Sequence, residues 1–131
     1  MTVAVITGAA SGIGAGLARE AARRGMKLVL ADRDAARLDE VAASIGDAAL
    51  AVPTDVTDPA ALQALADAAY ATHGQVDLLF NNAGVLSTGL SWEIPADRWQ
   101  MSLDVNVRGI VNALRAFVPR LIAADRPARI I

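Results

Sequence analysis

The residues Val3 to Leu17, VAVITGAASGIGAGL, constrain this chain more than any other stretch. Val3, Ala4, Val5 and Ile6 form a short apolar run without alternation, the pattern of a strand covered on both faces in a parallel sheet. Thr7 to Gly12 interrupts it with small residues. From Ile13 the period changes: Ile13, Leu17 and Ala21 recur every fourth residue, which predicts one stripe of an amphipathic helix. A strand that hands over to a helix through glycines aims backbone N–H groups and the positive helix end at one point, and an anion fits there if no side chain intervenes. Gly8, Gly12 and Gly14 read G-x-x-x-G-x-G. That spacing departs from the G-x-G-x-x-G of many dinucleotide folds, and no lysine follows the last glycine as a P-loop requires. Glycines this dense also serve in plain flexible turns; the flanking strand and helix are what favour a phosphate cradle.

Further along, Arg23-Arg24-Gly25 closes the first helix with cations and a glycine able to take a left-handed cap. Leu28 to Ala31 reads as the second strand, ending at Asp32. Asp34 caps a helix that carries Ala35, Leu38, Val41, Ala42 and Ile45 on one face and closes at Gly46. Ala49 to Val52 is a third strand, stopped by Pro53. Asp58-Pro59 joins a capping acceptor to a proline suited to the first helical turn. Leu62, Leu65, Ala66 and Ala69 then face inward as far as His73-Gly74. Val76 to Phe80 predicts a fourth strand, followed by Asn81-Asn82-Ala83-Gly84 and a loop of small residues to about Pro95. Beyond it Val107, Ile110, Val111, Leu114, Val118 and Leu121 predict the buried stripe of a long helix, which Pro119 is expected to kink or break. Arg129-Ile130-Ile131 looks like a fifth strand beginning. Strands alternating with helices demand right-handed crossovers, hence an α/β fold with a doubly wound parallel sheet. At 131 residues and 54% hydrophobic content the chain has room for a single domain with one core.

In such a sheet ligands bind beyond the carboxyl ends of the strands, and polar residues gather there. Asp32 ends the second strand. A carboxylate in that place accepts ribose hydroxyls and repels a 2′-phosphate; the competing reading is an ordinary turn begun with Arg33-Asp34. Arg33 pulls the other way, because a guanidinium pairs with a 2′-phosphate. Asp55-Val56 follows the third strand, where Asp, Thr and Pro are also common turn residues. After the fourth strand, Ala83 and Gly84 are small enough for backbone to approach a ligand, and asparagine amides such as that of Asn82 fasten neighbouring strands. Asn106 falls inside the long helical segment, where a lone asparagine is ordinarily solvent-facing. His73 reads as a cation favoured by the helix dipole, not as a catalytic group. Trp92 and Trp99 read as packing or lid residues, and Met101, Leu103 and Val105 as core or interface. No carboxylate pair or histidine cluster has the spacing of a metal site.

Together these motifs resemble the short-chain dehydrogenase/reductase family. Thr7-Gly8-Ala9-Ala10-Ser11-Gly12-Ile13-Gly14 is similar to its TGxxxGIG cofactor loop, Asn81-Asn82-Ala83-Gly84 to its NNAG motif, and Asp55-Val56 to its adenine-contacting pair. The resemblance covers essentially the whole chain and implies a Rossmann-type sheet in the order 3-2-1-4-5. It also implies a nicotinamide dinucleotide held by Gly8, Ser11, Gly12, Ile13 and Gly14, by Asp32 and Arg33, by Asp55 and Val56, and by Asn82, Ala83 and Gly84. An acid at the position of Asp32 implies NAD, with NADP left open by Arg33. Asn106, in Val105-Asn106-Val107-Arg108-Gly109, resembles the helix asparagine of the family's catalytic tetrad, which bends its helix and binds a water in a proton relay. The implied reaction is hydride transfer between nicotinamide and an alcohol or carbonyl substrate. Members of the family often form homo-oligomers through the helix containing Asn106.

The family's Tyr-x-x-x-Lys pair, which follows the fifth strand, has no counterpart in these residues. The one tyrosine, Tyr70, and the one lysine, Lys27, are expected at the amino-terminal edge of the sheet. At about 3.3 Å per strand residue that places them well over 10 Å from a reacting carbonyl. The expectation is a fold truncated in its fifth strand, equivalent to the cofactor-binding half of an oxidoreductase and inactive by itself. A non-catalytic dinucleotide-binding module or an inactive fragment is the alternative. Twelve basic and 14 acidic residues give a formal charge of −2 without a basic block, which is no footprint for nucleic acid or an anionic membrane. The absence of cysteine and of a signal-like opening suits a reducing, cytoplasmic setting, and no apolar run is long enough to span a bilayer.

Overall fold

β1 (Val3–Thr7) is buried along its whole length, as an unbroken apolar strand must be, and it takes the centre of a five-stranded sheet ordered β3-β2-β1-β4-β5. In the computed structural model, which describes residues 1–131, β2 (Lys27–Asp32) pairs with it from Val3↔Lys27 to Thr7↔Ala31. On the other side β4 (Leu78–Phe80) pairs from Ala4↔Leu78 to Ile6↔Phe80. β3 (Ala49–Pro53) and β5 (Arg129–Ile130) form the edges, and every pairing is parallel. The strand order reverses between β1 and β4, so the crevice at their carboxyl ends is the switch point of a doubly wound sheet. The expected α/β class and the strand order are both observed.

Alternate strand residues serve two cores, because successive side chains leave a strand on opposite faces. Ala4, Ile6, Leu28 and Leu30 meet α1 (Gly12–Arg23) and α2 (Ala35–Ile45). Val5, Val29, Ala31 and Leu79 meet α3 (Pro59–His73) and α5 (Gly109–Ala123). The helix starts behave as their sequences require. Asp34 Oδ1 accepts the Arg37 N–H at 3.1 Å, and Asp58 Oδ1 accepts the Ala60 N–H at 3.0 Å just ahead of Pro59 in the first turn. At the amino-terminal edge Asp77 holds three strands in register. Its Oδ2 accepts the Val3 N–H at 2.8 Å, its Oδ1 takes Arg126 Nη2 at 2.8 Å, and its carbonyl accepts the Arg129 N–H at 2.9 Å.

Four local expectations need correction. In α1 the buried residues are Gly14, Ala15, Ala18 and Ala21, while Ile13 is 77% exposed; a helix that starts against the end of β1 can approach only through small side chains. In α5 the buried residues are Gly109, Asn112, Ala113, Ala116 and Phe117; of the predicted stripe Ile110 and Val111 are exposed, while Leu121 packs half-buried against the core. Alanines again allow the close approach to α3, and Phe117 fills the space between them. Pro119 lies within α5 without ending it. The interruption comes earlier, where a π turn (Asp104–Arg108) joins α4 (Ala96–Leu103) to α5. Finally, β4 is shorter than Val76 to Phe80: Val76 is buried beneath the sheet and Asp77 bonds to Val3 through its N–H, outside the regular ladder. No helix is long and apolar enough to cross a membrane.

Candidate functional site

The carboxyl ends of β1, β2, β3 and β4 open into a cleft of about 390 Å³. The loop after β1 contributes Gly8, Ser11, Gly12 and Ile13, and the end of β2 contributes Asp32 and Arg33. Thr54, Asp55 and Val56 follow β3, Asn82 to Val85 follow β4, and Val105 reaches in from the π turn.

The glycines of the first loop divide their work. Gly8 has φ +66°, and a Cβ on it would stand 2.8 Å from Ala83 Cα. A Cβ on Gly14 would collide with the Gly8 carbonyl oxygen and lie 2.5 Å from Asn82 Nδ2. Gly14 does not line the cleft; it lets α1 press against the loop behind the wall. Gly12 has φ +52° and would meet nothing within 4 Å, so its bareness leaves open space on the cleft side. Ser11 precedes α1 in extended conformation without a side-chain cap. Ala15 is the first helical residue whose N–H is taken, by Ser11 O at 3.2 Å. The N–H groups of Gly12, Ile13 and Gly14 have no acceptor within the chain. With the positive end of the helix behind them they are donors suited to an anion.

Two side chains hold the loops around those donors. Thr7 Oγ1 donates to Phe80 O at 3.3 Å and accepts the N–H groups of Asn82 and Ala83, each at 3.1 Å. Asn82 Nδ2 donates back to Thr7 O at 3.0 Å and Gly8 O at 3.2 Å. The carboxylate of Asp32 is likewise engaged: Oδ2 accepts the Ala10 N–H at 3.1 Å and Oδ1 the Asp34 N–H at 3.0 Å. Each oxygen keeps a lone pair for a further donor. Asp32 therefore both starts a turn and faces the cleft.

Across from it, Asp55 Oδ1 accepts the Thr57 hydroxyl at 2.7 Å and the Thr57 N–H at 2.9 Å. Those bonds, with the nearby Arg33 guanidinium, hold the Asp55 carboxyl below the usual carboxylate range. The Val56 carbonyl accepts Asn112 Nδ2 at 2.9 Å, and a Cβ on Gly109 would stand 2.8 Å from Val56 Cγ2.

Asn106 does not line the cleft. It sits in the π turn, its Oδ1 accepting the Val85 N–H at 2.8 Å and its Nδ2 donating to Val85 O at 2.8 Å. Each atom of the amide makes one bond to the same backbone unit, as a paired strand would. The remaining sequence candidates lie elsewhere. Lys27 opens β2 at the far end of the sheet. Tyr70, near the end of α3, packs against the core with its hydroxyl buried and unpartnered, and burial pushes the phenol up. His73 is not the cation expected of it: its Nε2 is buried without a partner, and burial together with Lys27 pushes its pKa down. Met101 and Leu103 are exposed rather than core, and Trp99 Nε1 donates to Ser91 O at 3.1 Å, tying down the loop after β4.

The sequence reading assigned no site role to Thr54, Val85, Gly109 or Asn112. Gly109 and Asn112 did carry a signal, since they interrupt an otherwise apolar helical run with one small and one polar residue.

Residues 2–131 match the sequence model of the family described as short chain dehydrogenase. Over 136 residues the chain is 42% identical to the 1-deoxy-11-beta-hydroxypentalenate dehydrogenase of Streptomyces avermitilis, covering 99% of this chain and 50% of that protein. It superposes with TM-score 0.95 and 45% identity on a short chain dehydrogenase/reductase from Burkholderia phymatum solved in complex with NAD, covering 98% of this chain and 47% of that one. A 3-ketoacyl-(acyl-carrier-protein) reductase from Brucella melitensis complexed with NADH superposes with TM-score 0.93 at 38% identity, covering 98% and 55%. The chain spans about half the length of the curated relatives it matches.

Proposed function

The chain belongs to the short-chain dehydrogenase family of oxidoreductases, and from that membership we propose that its cleft holds a nicotinamide dinucleotide, NAD ahead of NADP, for chemistry on a small alcohol or carbonyl compound. The observation that carries the reading is one of placement. The unclaimed amides at Gly12 and Ile13 open onto the same cleft as Asp32. Amides of that kind suit a pyrophosphate, and the lone pairs left on Asp32 suit the two hydroxyls of a ribose. A 2′-phosphate would instead bring more negative charge against a carboxylate already held in place by two backbone donors.

When bound, the dinucleotide supplies the hydride acceptor or donor. This chain's residues bind and orient it. Gly12 keeps side-chain bulk away from the phosphates, Asp32 orients the ribose, and Asn82, Ala83 and Gly84 bring backbone to the cleft on the β4 side. Asn106 braces Val85 at the far end. Tyr70 and Lys27 lie at the opposite end of the sheet, so these residues alone bind without transferring hydride. The exposed apolar residues Val107, Ile110 and Val111 support self-association along α5.

Calorimetric titration of the chain with NAD⁺ and NADP⁺ tests the proposal. Saturable binding of NAD⁺, tighter than that of NADP⁺, is the expected result, with no change in nicotinamide absorbance when secondary alcohols are added. Absence of binding to either dinucleotide overturns the reading.

A further inference from the structure

The helical segment that closes the cleft carries two side-chain amides, and each grips a different wall. Asn106 holds Val85 on the β4 side; Asn112 holds Val56 on the β3 side. The second is the less expected. Asn112 is 6% exposed on the inward face of α5, among Gly109, Ala113, Ala116 and Phe117. Packing alone would favour an aliphatic residue there, because a buried amide is costly unless it is bonded. Its Nδ2 donates to the Val56 carbonyl at 2.9 Å, far away in sequence and at the lip of the cleft.

The segment around Val56 is held from both sides. Toward β2, the Thr54 N–H donates to Asp32 O at 2.9 Å. Within the segment, Asp55 folds back onto Thr57. Toward α5, the hold comes from Asn112 and from the missing side chain of Gly109, where a Cβ would press on Val56 Cγ2. The depth at which Asp55 and Val56 face the cleft is thus set by α5.

We propose that Asn112, assisted by Gly109, is a positioning residue that sets the Asp55–Val56 wall for the base-and-ribose end of the dinucleotide. The proposal rests on the reading that the cleft takes such a ligand, with Asp32 and Asp55 at its adenosine end. Asn112 acts through the Val56 backbone and does not contact the ligand.

The test compares the native chain with Asn112→Leu, which keeps the volume and removes the donor, and with Asn112→His. The His Nδ1 lies as many bonds from the backbone as the Asn amide nitrogen and returns a donor. Each is titrated with adenosine 5′-monophosphate, with NAD⁺ and with inorganic pyrophosphate, which reads the α1 amides alone. Amide hydrogen exchange is followed at Val56 and Thr57. Asn112→Leu is expected to weaken binding of the monophosphate and NAD⁺ by the same factor, roughly tenfold for one lost buried hydrogen bond. Pyrophosphate affinity stays unchanged, exchange at Val56 and Thr57 quickens, and Asn112→His restores most of both. Equal losses for all three ligands, or undiminished affinity for the monophosphate, overturn the proposal. If Asn112→Leu does not fold, Gly109→Ala displaces the same wall by pressing on Val56 Cγ2 from the α5 side and is expected to give the same ligand-selective loss. If the native chain binds none of the ligands, the dinucleotide reading fails; the exchange arm then decides the brace separately, and unchanged exchange at Val56 and Thr57 removes it.

Discussion

The carbonyl oxygen of Gly8 stands where the first atom of a Gly14 side chain would be. Gly14 is therefore a requirement of the fold, whereas Gly12, with φ +52° and open space around it, is a requirement of the ligand and of the local backbone. Gly14→Ala is expected to destabilise the chain by about 1–3 kcal/mol through overpacking. Gly12→Ala is expected to cost only about 1 kcal/mol of left-handed strain while weakening NAD⁺ binding far more than Gly12's share of stability suggests. Urea denaturation and calorimetric titration of both variants separate the two roles; equal effects on stability would contradict the division.

Thr7 joins β1 to the loop after β4 through one oxygen. Thr7→Val keeps the shape and removes the acceptor for the Asn82 and Ala83 amides. A loss of about 1–3 kcal/mol is expected, because donors left without a partner cost more than the bond itself contributes. Chemical denaturation measures it, and a neutral substitution would mean that water replaces the hydroxyl at no cost.

Asp32 has a double duty that a substitution exposes. Asp32→Ala removes the acceptor for the Ala10 and Asp34 N–H groups, so a lower melting temperature is expected together with weaker NAD⁺ binding. The ratio of NADP⁺ to NAD⁺ affinity should rise by roughly tenfold or more, because a carboxylate that repels a 2′-phosphate is gone and Arg33 remains. Dissociation constants for both dinucleotides give the ratio; an unchanged ratio would show that Asp32 does not read the ribose.

Acidification should weaken the fold through His73. Burial, then Lys27, lowers its pKa from the ordinary value of 6.5. With the folded pKa below the unfolded one, its contribution to stability is complete above the unfolded value and is lost as pH falls through the folded value. The melting temperature is expected to drop as the pH falls below the ordinary value of 6.5, and His73→Gln should flatten that part of the profile. An identical profile in the variant would assign the pH dependence to other groups.

Much of the site was visible in the chain order of its parts. Thr7 to Gly14, Asp32, Asp55 and Asn82 to Gly84 each directly follow or end a strand, and parallel topology brings such ends together. The sequence also put Gly14 among the cofactor-binding residues and Asn106 at the catalytic position, and neither lines the cleft. One is packed beneath Gly8 and the other is bonded to Val85. Nothing local distinguishes a glycine that faces a ligand from one that admits a neighbouring carbonyl.

By itself, then, the sequence determined the succession of strands and helices, their caps at Asp34 and Asp58, and through the handedness of the crossovers the parallel sheet with its ligand edge. Tertiary structure alone decided which face of α1 and α5 turns inward, where the long helix is interrupted, and which amide braces which wall. The reason is physical. Strand, cap and turn preferences arise within a few residues. The burial of Ala113 instead of Val111, and the bonds from Asn106 to Val85 and from Asn112 to Val56, depend on how closely distant segments approach. That distance is set by small side chains on both partners at once.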